Sequence, residues 1–152
     1  MKVKPLLEGK PFMTEYGSGG YSTVGLIAGD NEKNILYDCG SKGCGLQLKE
    51  AVEKAGMKPE DITHVVISHL HFDHVGNLPL FSDAEILLNK IEWESANQTP
   101  DEWHSIQTLA YLEKRGNLRF VKEGDIIAEE VSVMELPGHT PGLIGLRCGA
   151  ET

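Results

Sequence analysis

Apolar residues along the chain recur with two different periods, and the changes between them mark out the elements. Tyr21–Ala28 and Asn34–Asp38 are apolar-leaning runs separated by the turn-forming Gly29-Asp30-Asn31-Glu32, which predicts a hairpin within a strand-rich first forty residues. Ser18-Gly19-Gly20 reads as a flexible loop, and Gly40, Gly43 and Gly45 mark another. In Leu46–Ala55 the apolar positions Leu48, Val52 and Ala55 follow helical spacing, with Gly56 placed as a stop. The β-branched run Thr63–Ser68 predicts a buried strand ending at His69, and a short strand is expected near Glu85–Leu88. Thr99-Pro100-Asp101-Glu102 has the form of a capping box, with Thr99 as N-cap, and predicts a helix from Pro100 to about Lys114 with Gly116 beyond its end. Leu118–Val121, Ile126–Glu135 and Leu143–Cys148 read as extended segments. Strands with helices interposed indicate an α/β layered domain rather than a bundle.

Charge and composition narrow the class. The 152 residues hold 14 Lys and Arg against 23 Asp and Glu, a net charge of −9, which disfavours non-specific binding to nucleic acid. No apolar run approaches the roughly 18 residues of a membrane span, and Met1–Tyr16 lacks the continuous apolar stretch of a secretory signal. One cytoplasmic domain over residues 1–152, without membrane contact, is the expectation. Cys39, Cys44 and Cys148 are odd in number and lack zinc-type pairing, so they read as reduced thiols.

The chemistry is concentrated in two short segments. Ser68-His69-Leu70-His71-Phe72-Asp73-His74 follows a predicted strand. His69 and His71, two apart, project to one side if extended geometry continues through Leu70. Asp73 and His74 lie where the chain must turn and approach from another direction. Imidazole and carboxylate ligands suit zinc, iron or manganese, and no cysteine takes part. In Leu136-Pro137-Gly138-His139-Thr140-Pro141-Gly142 a second predicted strand ends in a turn that presents one histidine. It supplies a third imidazole, and three histidines with a fourth position open to water form a catalytic rather than a structural metal site.

His69-Leu70-His71-Phe72-Asp73-His74 resembles the HxHxDH signature of the metallo-β-lactamase-fold superfamily. Ile35-Leu36-Tyr37-Asp38-Cys39-Gly40 is similar to its strand ending in Asp-Thr-Gly, and Pro137–Gly142 to its Gly-His-Thr-x-Gly turn. The resemblance runs in order over about Tyr21–Cys148, and around Thr63–Phe81 it is closer to small intracellular hydrolases than to secreted β-lactamases. It implies an αββα sandwich. His69, His71 and His139 match the ligands of a first metal, Asp73 and His74 two ligands of a second, and Asp38 an acid that orients the ligands from behind. The implied metal is zinc, with iron or manganese as alternatives. The implied reaction is hydrolysis of an ester, thioester, lactone or phosphodiester, with Asp73 orienting the attacking water as catalytic residue. Two other readings stand beside it: an iron-dependent oxidoreductase of sulfur-dioxygenase type, and an inactive metal-binding fragment.

His104 and Trp103, with Trp93 nearby, are candidates for lining the pocket of a small-molecule substrate. Their plain alternative is an exposed helical histidine and tryptophans packing a helix on the sheet. His64 reads as structural. The family's second metal takes two further ligands, an Asp and a later His, and no Asp or His follows His139 in this chain. The last strands and helix of the sandwich are missing too. The expectations are therefore a domain incomplete at its C-terminus, one firmly held metal, a weak second site, and a homodimer or domain-swapped assembly through the open sheet edge.

Overall fold

Alternation of side chains along the strands places apolar residues on both faces of one large sheet. In the computed structural model, which describes residues 2–15, 17–28 and 33–149, that sheet has six strands. In spatial order they are β1 (Lys2–Leu7), β4 (Val24–Ala28), β5 (Asn34–Tyr37), β6 (His64–Val66), β7 (Glu85–Asn89) and β8 (Leu118–Val121). The first three pair antiparallel, and β5 through β8 run parallel. A small sheet orders β11 (Ile144–Cys148), β10 (Val131–Glu135) and β9 (Ile126–Ala128), while β2 (Lys10–Thr14) and β3 (Gly17–Tyr21) form a ribbon. The helices are α1 (Gly45–Lys54), the single turn α2 (Phe72–Val75), α3 (Lys90–Gln98) and α4 (Ile106–Arg115).

Strand β7 shows how the layers arise. Ile86 and Leu88 point to one face, where Leu48 and Val52 of α1, Ala96 of α3, and Leu109 and Leu112 of α4 close a core. Leu87 points to the other face and meets Val131, Val133 and Ile144 of the small sheet. The layers are thus helices, large sheet, small sheet, which are three of the four expected of an αββα sandwich. Among the described residues no helix covers the outer side of the small sheet, where alternation puts Ser132 and Arg147. Nor is any described helix long and apolar enough to cross a membrane.

Several elements differ from their sequence expectations. The helix predicted from Pro100 begins at Ile106. Asp101 turns its carboxyl to the Trp103 N–H (2.9 Å) and to His104 Nδ1 (2.7 Å), closing a local turn that competes with a first helical turn. Ser105 is the N-cap instead, its Oγ accepting the Thr108 N–H at 3.3 Å, and Gly116 ends the helix in the left-handed region at φ 77°. Helix α3 was not expected; Asn89 caps it by accepting the Ile91 N–H at 2.7 Å. Ser18-Gly19-Gly20 is no loop but part of β3, laddered against β2 with the Phe12 ring lying over Gly19. Ile126–Glu135 divides into β9 and β10 at a turn where Glu130 has φ 62°. The predicted hairpin strands pair antiparallel, Ala28 opposite Asn34, and their turn Gly29–Glu32 lies outside the described residues.

Candidate metal centre

Parallel β5 and β6 deliver Asp38 and Ser68 side by side at their carboxyl ends. After β6 the chain stays extended for one more residue, the Ile67 N–H donating to Leu87 O at 2.8 Å. Ser68 then donates its N–H to Asp38 Oδ1 and its hydroxyl to Asp38 Oδ2, each at 2.8 Å. Asp38 sits at φ 59°, a left-handed conformation that Asp adopts more readily than most residues. The turn α2 is fixed from three sides: Phe72 N–H to Trp103 O (2.8 Å), Cys39 N–H to His74 O (2.8 Å) and Ser22 N–H to Asp73 O (3.0 Å).

The second histidine segment is held by its own stem. The Leu136 N–H donates to Leu143 O at 2.8 Å, and the Ile144 N–H to Ser68 O at 3.0 Å. Tyr37 adds a hydroxyl bond to Ile144 O at 2.7 Å. Glu92 of α3, 1% exposed, ties the two segments together. Its Oε1 accepts the Leu70 N–H at 2.9 Å and its Oε2 the Gly142 N–H at 3.2 Å. Gly142 is required for that approach, since a Cβ there would run into the Glu92 backbone.

These supports bring one donor nitrogen each from His69, His71 and His139 to within 4.8 Å of one another. His71 Nδ1 and His139 Nε2 are 3.1 Å apart. His69 Nδ1 lies 3.0 Å from Ser68 Oγ, which leaves its buried Nε2 as the other donor, with no hydrogen-bond partner among the described residues. A buried polar atom left unpaired costs about 1–3 kcal/mol, so a cation filling this gap suits the site. Burial, followed by the neighbouring His74, His71, His139 and His104, holds the His69 pKa down at about 2, so the ring stays neutral with its lone pair available. Burial also lowers the pKa of His71, against the charge of Asp101.

Beside this trio stand Asp73 and His74, with Asp73 Oδ2 3.6 Å from His74 Nε2. The His74 ring lies 4.0 Å from that of His69, centroid to centroid. Its Nδ1 is 2.7 Å from Asp38 Oδ2, so Nε2 is the nitrogen it offers. Burial lowers the His74 pKa, but the hydrogen bond and charge of Asp38, with the charge of Asp73, outweigh it and hold the pKa above the usual value. A cleft lined by Ser22, Thr23, Tyr37, His74 and Leu143 opens beside His69. All five residues of the two histidine motifs, and Asp38, are therefore brought together. Three converging imidazoles with a carboxylate alongside suit zinc, iron or manganese.

The remaining candidates are placed differently. His104 lies edge-on to His71, centroids 5.1 Å apart, in the loop before α4 rather than in a helix. Trp103 stacks on Phe72 at 6.0 Å, and Trp93 packs against the helical core. His64 is away from the site, its Nδ1 2.7 Å from Thr63 Oγ1. Sequence reasoning missed Glu92 and Asp101. Glu92 recurs four positions before buried Ala96, but a lone glutamate in a helix reads as solvent-facing.

The sequence profile of the Metallo-beta-lactamase superfamily matches residues 17–152. Over 124 residues the chain is 32% identical to Metallo-beta-lactamase domain-containing protein 1 of Xenopus laevis, covering 82% of this chain and 46% of that protein. Over 92 residues it is 36% identical to the N-acyl homoserine lactonase of Bacillus cereus, covering 60% of this chain and 34% of the lactonase. The chain therefore spans less than half the length of these relatives. Among solved structures, a protein from Thermotoga maritima provisionally classed as a metallo-beta-lactamase superimposes with a TM-score of 0.81 at 22% identity, covering 95% of this chain and 70% of that one. An N-acyl homoserine lactone hydrolase with N-hexanoyl-L-homoserine at its catalytic metal centre gives 0.72 at 20% identity, covering 95% and 68%. At such identities these two likenesses are of fold. The match over residues 17–152, which takes in both histidine segments, establishes that the chain belongs to the metallo-beta-lactamase superfamily.

Proposed function

We propose that this chain carries the metal centre of a hydrolase acting on carboxylic esters, with lactones as the preferred class. The observation that carries the reading is the convergence of His71 Nδ1 and His139 Nε2 at 3.1 Å beside the buried, unpartnered His69 Nε2. His69, His71 and His139 would hold a zinc ion, with Asp73 and His74 offering ligands to a weaker second. Zinc bound there supplies a water acidified toward pKa 7 and a Lewis acid for the ester carbonyl.

The chain's own residues do the rest. Asp73, partly exposed at the mouth, accepts a hydrogen bond from the attacking water and turns its lone pair toward the carbonyl carbon. The proton it collects passes to the leaving alkoxide oxygen as the C–O bond breaks, opening a lactone to a hydroxy acid. Asp38 keeps His74 and Ser68 in place while this happens. The lactone preference draws support from the likeness to the N-acyl homoserine lactonase of Bacillus cereus.

The test is a panel run on zinc-reconstituted protein: N-hexanoyl homoserine lactone, a simple aryl ester, a thioester and a phosphodiester. Lactone opening, lost on chelation and in His139→Ala, is the expected result. Bound zinc without hydrolysis of any substrate, or oxygen consumption with a persulfide by iron-loaded protein, would overturn it.

A further inference from the structure

His71 presents its two nitrogens to two different surroundings. Nδ1 faces His139 Nε2 inside the histidine cluster, at 3.1 Å. Nε2 faces outward, 3.6 Å from Asp101 Oδ2; it is buried and has no hydrogen-bond partner among the described residues. Asp101 is itself held, its Oδ1 accepting the Trp103 N–H at 2.9 Å and lying 2.7 Å from His104 Nδ1. The Asp101 backbone N–H also donates to His104 Nδ1, at 3.1 Å, so residue 101 meets that ring nitrogen through both its main chain and its carboxylate. The backbone presses the two loops together: the Phe72 N–H donates to Trp103 O at 2.8 Å, and His71 and His104 form an isolated antiparallel bridge.

We infer that Asp101, braced by His104, is a positioning residue that sets the orientation and tautomer of His71. The inference rests on the metal-centre reading above. A neutral imidazole carries its proton on one nitrogen, and a ligating histidine needs the other one bare. A small rotation of the half-exposed Asp101 side chain brings Oδ2 within reach of the His71 Nε2–H. That bond keeps the proton on Nε2, leaves the Nδ1 lone pair facing His69 and His139, and raises its basicity. The Asp101 carboxylate comes from the loop between α3 and α4, outside both histidine segments. Neither segment encodes it, and the same loop places Trp103 over Phe72.

An amide at position 101 that keeps its oxygen on the Trp103 N–H would present N–H groups where the His71 Nε2–H needs an acceptor. In the full chain, Co2+ affinity measured by chelator competition and the visible Co2+ spectrum read ligand geometry without any substrate. Asp101→Asn is expected to weaken Co2+ binding about 10- to 100-fold and to shift the visible bands, while its metal-free form melts like the unsubstituted protein. Asp101→Glu is expected to recover part of the affinity, and His104→Gln to lose less than Asp101→Asn in the same direction. Unchanged affinity and spectrum in Asp101→Asn would overturn this inference alone. So would a second Co2+ equivalent in the unsubstituted chain that His104→Gln removes, since His71, Asp101 and His104 would then be a cation site in their own right. No Co2+ binding by the unsubstituted chain would overturn the metal-centre reading as well.

Discussion

His71 Nδ1 and His139 Nε2 lie 3.1 Å apart although 68 residues separate them in sequence. Two imidazole nitrogens at that distance either share one N–H, with both rings neutral, or turn two lone pairs on one cation. Their closeness is imposed from outside the rings by Glu92, which holds the segment of one and the stem of the other.

Replacing Glu92 therefore has a definite expected cost. Glu92→Ala leaves the Leu70 and Gly142 N–H groups without their acceptor, at about 1–3 kcal/mol for each buried donor. Urea denaturation should show that loss, and zinc affinity should fall with it. Glu92→Gln, which keeps one acceptor, should lie between. A Glu92→Ala protein as stable and as tight for zinc as the parent would show that the tie does not hold the site.

Asp38 combines a strained backbone with three hydrogen bonds, to the Ser68 N–H, the Ser68 hydroxyl and His74 Nδ1. Asn tolerates the left-handed region and Ala does so less readily. The melting temperatures should fall in the order parent, Asp38→Asn, Asp38→Ala. Equal melting of the two variants would mean that the φ of 59° carries no cost here.

The pH dependence of the metal-free protein has a fixed sign at His64. Burial, and next the charge of Lys33, hold its pKa below 6.5 despite the opposing charge of Glu85. As pH falls below 6.5 the unfolded chain takes up a proton that the folded chain refuses, so stability drops on acidification. His69 and His71, lowered by burial, act in the same direction, and His74, held above its usual value against burial by Asp38, acts in the opposite one. The His64 share is read by comparison: between pH 7 and pH 5 the urea midpoint of His64→Gln should fall less, or rise more, than that of the parent. An identical change in the two proteins would contradict the assignment.

The thiols should respond in a set order. Burial raises the pKa of all three, and Cys39 and Cys44 are closed off further, their Sγ atoms bonded to His74 O (3.2 Å) and Ser41 O (3.1 Å). A thiol-reactive dye in native buffer should label half-buried Cys148 first and reach the other two only on unfolding. Early labelling of Cys39 would contradict this packing.

What the sequence disclosed, and what it concealed, divides along a physical line. Apolar-leaning and β-branched runs located β5 to β8, because a strand buried on both faces leaves its record in local composition. Both histidine segments were legible for the same reason: each follows a strand that fixes where its ligands emerge. Helix α3 was concealed because its buried face is Glu92 and Ala96, which carry almost no apolar signal. The capping box at Thr99–Glu102 misled because Asp101 instead meets the Trp103 N–H and His104 Nδ1 in a local turn that takes the place of a first helical turn. Glu92 and Asp101 act across long stretches of chain, and such partners have no local signature.

The central claim is that His69, His71 and His139 form one tight metal site, and zinc titration of the metal-free chain against a competing chelator tests it most directly. The account predicts one tightly bound equivalent, lost when any of the three is replaced by Ala, with Asp73→Ala and His74→Ala affecting only weaker binding. Tight zinc binding that survives His139→Ala, or no tight equivalent in the unsubstituted chain, would contradict it.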